Sequence, residues 1–137
     1  DAALQSGVAA GGWCPQGRLA EDGPIPEKYP LAELPNGGYR QRTRRNVIDS
    51  DGTAIICFGA PSGGTKLTML FCIAERRPHV LIDAEQLSVD RASSKIRRFI
   101  DAAEISILNV AGPRASGEPR AYAYAKEVIL GVLGMRP

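Results

Sequence analysis

Histidine and tryptophan each occur once in this chain, cysteine three times, and aromatic residues make up only 6% of it. The lone histidine, His79, has no partner at metal-ligand spacing. This argues against a structural metal site and against a Ser-His or Cys-His catalytic pair. Cys14, Cys57 and Cys72 are odd in number and lack a CxxC spacing. Cys57 falls in an apolar strand and Cys72 in an apolar helix, so both are expected as buried free thiols, which fits a reducing cytoplasm. No apolar run is long enough for a membrane span, so no membrane partner is expected. The net charge is only +2, and the one dense basic cluster is "RQRTRRN" at 40–46. So short a run reads as a solvated or phosphate-facing helix face. With few aromatics for base stacking, no nucleic-acid partner is expected. Neither GxxxxGK[ST] nor GxGxxG occurs, which excludes a P-loop and the dinucleotide fingerprint.

What is present is an alternation of helical and strand patterns within one expected domain, 1–137. Residues 1–6 read as a helix end stopped by Gly7, and 8–13 as a short strand. The stretch 14–38 is rich in proline and glycine, so it reads as a functional loop or an ordered arm against a neighbour. After a half-apolar helix beginning at Tyr39 come three unbroken apolar runs: "TAIICF" (53–58), "HVLIDA" (79–84) and "ISILNVAG" (105–112). They predict strands covered on both sides. Helices are predicted between and after them. Residues 64–77 would bury Leu67, Leu70, Phe71 and Ala74. Residues 90–103 would bury Ala92, Ile96, Phe99, Ile100 and Ala103. Residues 119–133 would bury Tyr122, Ala125, Ile129, Val132 and Leu133. The fold class is α/β: a Rossmann-like open parallel sheet with helices on both faces.

Ligands of such sheets sit beyond the carboxyl ends of the strands. Two glycine-bearing loops leave those ends, "GAPSGGT" at 59–65 and "AGPRAS" at 111–116. Each leads toward a helix N-terminus, where free N–H groups and the helix dipole favour an anion. Thr65 offers a hydroxyl and Arg114 a planar fork suited to phosphate. Gly-Gly-Thr also serves simply as a turn with an N-cap, so a purely structural role stays open. Glu21 and Asp22 are adjacent in a Gly/Pro loop, where carboxylates cap turns or pair with arginines more often than they act as acid and base.

Four blocks in order, "GGWCPQGRLAEDGPIPEKYPL", "RTRRNVIDSDGT", "GGTKLT" and "NVAGPRAS", resemble the molybdenum carrier protein family. These are small Rossmann-like proteins of the SLOG superfamily, which also holds lysine-decarboxylase-like phosphoribohydrolases. The likeness covers nearly the whole chain. It implies a homodimer or homotetramer and binding of the molybdenum cofactor, a phosphate-bearing pterin whose dithiolene holds the metal. Molybdoenzymes or cofactor-synthesis proteins are the implied partners. The implied binding residues are Gly63, Gly64 and Thr65 of one loop and Asn109, Gly112, Arg114 and Ser116 of the other. Arg45, Asn46, Trp13 and Arg18 are the outlying candidates. The family pattern also opens with a strand and a loop of the type GGxTGxDRAALD, expected ahead of Asp1. The related phosphoribohydrolases resemble PGGxGTxxE, and their glutamate would fall near Thr68. A threonine cannot ionise to stabilise positive charge developing at a ribosyl carbon, so the resemblance favours holding a ligand over cleaving it. A nucleotide or ADP-ribose-type sensor is the alternative reading, and a phosphoribohydrolase-like enzyme the third.

Overall fold

The computed structural model describes residues 38–113 and 117–134, together with four two-residue strands between 13 and 33. In chain order the elements are β1 (Trp13–Cys14), β2 (Leu19–Ala20), β3 (Gly23–Pro24), β4 (Ala32–Glu33), α1 (Tyr39–Ile48), β5 (Gly52–Cys57), α2 (Gly63–Ala74), β6 (His79–Asp83), α3 (Val89–Ala102), β7 (Leu108–Ala111) and α4 (Ala121–Gly134). The helix expected at 1–6 and most of the strand expected at 8–13 lie outside the described residues. Within the Pro/Gly-rich stretch, β1 pairs in parallel with β4 and β2 pairs antiparallel with β3.

The central sheet is parallel, in the order β6-β5-β7. All six residues of β5 are buried, as an unbroken apolar run in the middle of a covered sheet demands. Alternation along β5 sends Ala54 and Ile56 to one face. There, with Ile82, they pack on Ala92 and Ile96 of α3 and on Val128 and Val132 of α4. Full burial of aliphatic side chains of this size stabilises by roughly 1.5–3 kcal/mol each. Thr53 points to the opposite face, where it meets the Cys72 thiol of α2 and accepts from Asn109 Nδ2 at 3.2 Å. α1 lies against α2, with Arg40 over the Phe71 ring (5.6 Å) and Arg44 paired with Glu75 (3.0 Å). Helices therefore cover both faces, α1 and α2 on one and α3 and α4 on the other, in an α/β Rossmann-like arrangement.

Two predicted helix faces are rotated. In α2 the buried residues are Thr65, Thr68 and Cys72, while Leu70 is 48% exposed and Ala74 is exposed. The helix is apolar almost all round, so spacing alone does not choose a face. The smaller Thr and Cys side chains let the helix approach β5 closely. In α4 the buried stripe is Ala121, Val128 and Val132, and Tyr122 is 58% exposed. The third strand begins at Leu108 rather than 105, because the amides of Ser106 and Ile107 donate to the Asp51 carboxylate at 2.9 and 2.8 Å instead of to a strand.

Candidate functional site

Strand order places the site. β5 leaves through α2 on one face of the sheet, whereas β7 leaves through α4 on the other. The chains diverge between the carboxyl ends of β5 and β7 and open a crevice there, the place where open α/β sheets bind ligands. A cavity of about 290 Å³ lies in that position, lined by Ile56, Gly112, Pro113, Ala121, Tyr122 and Ala125. It is small for a ligand site, and its walls are apolar. A larger depression of about 500 Å³ sits on the outer side of α3, lined by Leu87, Asp90, Arg91, Ser94, Lys95 and Arg98. It lies away from the switch point. Its Lys95 ammonium donates to the Leu81 carbonyl at 3.0 Å, on the edge strand of the sheet.

The loop after β5 is built in two halves. Gly59 has φ of +86°, a conformation that suits glycine. Its amide donates to Asp83 Oδ1 at 2.9 Å, and the same oxygen accepts from Glu85 N at 3.0 Å. One carboxylate at the end of β6 thus fixes the roots of two loops. In the second half, Ser62 N donates to Thr65 Oγ1 (3.2 Å) and the Thr65 hydroxyl donates to the Ser62 carbonyl (2.7 Å). Thr65 is only 4% exposed, so its hydroxyl shapes the helix start. Gly63, with φ of +52°, and Gly64 are exposed, and a Cβ at either would meet nothing within 4 Å. The first turn of α2 holds no acidic residue. The start of α3 differs, because Ser88 Oγ accepts from Arg91 N at 3.3 Å and Asp90 occupies the first turn. Ser62 and Thr65 form a capping box at the start of α2, and the Ser62 carbonyl accepts from Thr65 N and Lys66 N at 3.1 and 3.4 Å. The amides left without a partner among the described residues are those of Gly63 and Gly64, with no acidic residue in that turn.

Among the other predicted residues, Gly112 lines the crevice. Asn109 sits two residues before the end of β7, opposite Thr53, with its amide tied into the sheet. Arg45 is in the last turn of α1, paired with Asp49 at 3.1 Å, and the chain then enters β5 at its amino end. Arg45 and its neighbour Asn46 therefore stand toward the opposite end of the sheet from the crevice. Trp13 lies in β1, beside Ala32 of β4. Arg18, Arg114 and Ser116 lie outside the described residues, as do Glu21 and Asp22.

Sequence reasoning missed a group over the root of the glycine loop. Phe58 stacks edge-to-face with Tyr124 at 5.8 Å, and the Arg120 guanidinium lies 4.7 Å above the Phe58 ring. Glu118 accepts from Arg120 Nε at 2.7 Å and Nη2 at 2.9 Å. These bonds hold the Glu118 carboxyl below its ordinary range and push the arginine up. Tyr124 donates to the Leu87 carbonyl at 3.0 Å; burial first, then the Asp83 charge, raises its phenol. Only the apolar-to-acidic end of "HVLID" hinted at Asp83, and nothing in "GEPRAY" marked Arg120. Burial raises the pKa of both described thiols, Cys57 and Cys72, so neither is primed as a nucleophile. Thr68 donates to the Gly64 carbonyl at 2.9 Å, at the position where a phosphoribohydrolase glutamate would fall. His79 opens β6 at its amino end, away from the crevice.

Comparison with known proteins agrees with this fold. The family model described as the circularly permutated YpsA SLOG family matches residues 1–133. A crystal structure of a "Putative molybdenum carrier protein" from Syntrophus aciditrophicus SB superposes with a TM-score of 0.94 at 40% identity. The match covers 97% of this chain and 84% of that one. No match was found among curated proteins. No helix among the described residues is long and apolar enough to cross a membrane. On sequence and on structure alike, the chain belongs to the circularly permuted YpsA SLOG family.

Proposed function

We propose that this protein binds the molybdenum cofactor and carries or stores it without chemical turnover. The observation that carries this reading is the pair of glycine amides, Gly63 and Gly64, at the start of α2. Gly63 and Gly64 are exposed, open space lies where their side chains would be, and no carboxylate occupies the first turn. Backbone N–H groups at such a terminus suit a phosphate, and the cofactor's pterin ends in one. The pterin would then lie toward the apolar crevice of Ile56, Pro113 and Tyr122, and Gly112, Arg114 and Ser116 are the further binding residues that the family resemblance implies. The metal needs no protein thiolate, because the cofactor brings its own dithiolene. The neighbour's name as a molybdenum carrier supports the same cargo. Delivery to molybdoenzymes, or receipt from cofactor-synthesis proteins, is the role such a carrier would fill, as a homodimer or homotetramer.

The test is anaerobic equilibrium binding of isolated molybdenum cofactor, with ADP and ADP-ribose as competitors. The expected result is saturable binding that nucleotides do not displace, with the cofactor recovered unchanged. Nucleotide binding without cofactor affinity would replace this reading with a nucleotide sensor, since an apolar crevice beside a bare helix start also fits a nucleoside phosphate. Cleavage of a nucleoside monophosphate would make it an enzyme.

A further inference from the structure

The geometry points to Arg120 as the side chain that recognises the ligand's phosphate, from a guanidinium held ready before the ligand arrives. The inference rests on the phosphate-ligand reading above and names a residue that reading does not use. Two contacts fix the group: the Phe58 ring beneath it at 4.7 Å and Glu118 along one edge, through Nε and Nη2 at 2.7 and 2.9 Å. A guanidinium has a second edge, formed by Nη1 and the outward hydrogen of Nη2, which can take another oxyanion side by side with the first. Among the described residues Nη1 has no hydrogen-bond partner, and the side chain is 64% exposed. Such an edge is a planar, pre-aligned donor pair, which a flexible lysine does not provide.

Position ties Arg120 to the ligand site. Phe58 is the first residue after β5 and roots the loop that ends at Gly63 and Gly64, so Arg120, on the α4 side, stands at the same carboxyl end of the strands as the start of α2. Glu118 and Glu85 both act on Arg120 electrostatically, so an incoming anion is held by the free edge against the field of two carboxylates.

The experiment uses the fluorescent oxidised pterin derived from the cofactor, with its terminal phosphate and after phosphatase treatment. Arg120→Gln should weaken the phosphorylated probe by about 10- to 100-fold and leave the dephosphorylated probe unchanged. Arg120→Lys, which keeps the charge but not the fork, should lie closer to the glutamine variant than to wild type. Circular dichroism should show all three folded alike, as expected for so exposed a side chain. Equal effects on both probes, no effect on either, or full rescue by lysine would overturn the assignment. If wild type binds neither pterin, the cofactor reading fails by itself and inorganic pyrophosphate decides the role of Arg120. Pyrophosphate binding lost in Arg120→Gln would sustain it. Binding retained in that variant, or absent in wild type, would end it.

Discussion

Arg76 and Glu104 share an uncommon backbone, each with φ of +54°. They play the same part, ending α2 and α3 and turning the chain toward β6 and β7. Behind each, a backbone amide reaches back to a helix carbonyl: Arg77 N to Cys72 O at 2.9 Å and Ile105 N to Ile100 O at 3.0 Å. This left-handed helix stop usually carries glycine, because a Cβ there costs about 1–2 kcal/mol. Arg76→Gly and Glu104→Gly are each expected to raise stability by about 0.5–1 kcal/mol, the gain being trimmed by the entropy of the unfolded glycine. Urea unfolding of the two variants would show it, and a fall in midpoint would mean the side chains hold contacts that outweigh the strain. Asp51 gives a residue-scale prediction in pH. Hydrogen bonds from the amides of Ile107 and Ser106 lower its pKa, with Arg77 assisting against burial. A depressed carboxylate contributes stability above its unfolded pKa of about 3.9, and that contribution is lost as pH falls through the folded value. Wild type should therefore unfold at higher urea than Asp51→Asn at pH 7, and the gap should close below about pH 4. A gap that does not change with pH would assign the effect to shape instead of charge.

At the scale of elements, α3 and α4 approach each other closely at Ser93 and Gly131. The Ser93 hydroxyl donates to the Val128 carbonyl at 2.8 Å, and a Cβ on Gly131 would overlap that hydroxyl and lie 3.0 Å from Ser93 Cβ. Gly131→Ala should improve helix propensity by about 1 kcal/mol yet lose about 1–3 kcal/mol to overpacking, for a net fall in thermal midpoint. Adding Ser93→Ala should recover part of the loss, and a double variant no better than the single would refute the clash. Strand and helix identities were legible because the central strands are covered on both sides, which makes "TAIICF" and "HVLIDA" unbroken apolar runs. Helix faces were less legible. In α2 and α4 nearly every position is apolar or small, and the buried stripe is chosen by close approach to β5 and α3, which spacing does not encode. The start of β7 was unreadable for another reason: the group that removes Ser106 and Ile107 from the strand is a carboxylate 55 and 56 positions away.

The crevice exists only at the scale of the whole molecule, because it follows from the strand order and from helices leaving on opposite faces. The glycine loop could be seen in sequence, since Gly-Gly after a buried run is a local signal. The Phe58–Arg120–Glu118 stack could not, because it joins segments some sixty residues apart. Asn109 falls within the strand expected at 105–112, although the resemblance groups it with the following loop, and the register with Thr53 sets it inside the sheet. The same loop yields a prediction that separates stability from binding. Gly64 lies in the first turn of α2 with open space where a Cβ would be, and its φ is not positive. Nothing in the folded chain therefore demands glycine there, and Gly64→Ala should gain up to about 1 kcal/mol of helix propensity. If the bare amides are a phosphate seat, the added methyl intrudes on the space a ligand must enter. The variant should then unfold at higher urea while binding the phosphorylated pterin several-fold more weakly, the opposed changes expected where a fold keeps a locally unfavourable residue for its function. A variant that is more stable and binds as tightly as wild type would remove the α2 terminus from the site and leave the crevice and Arg120 to account for binding.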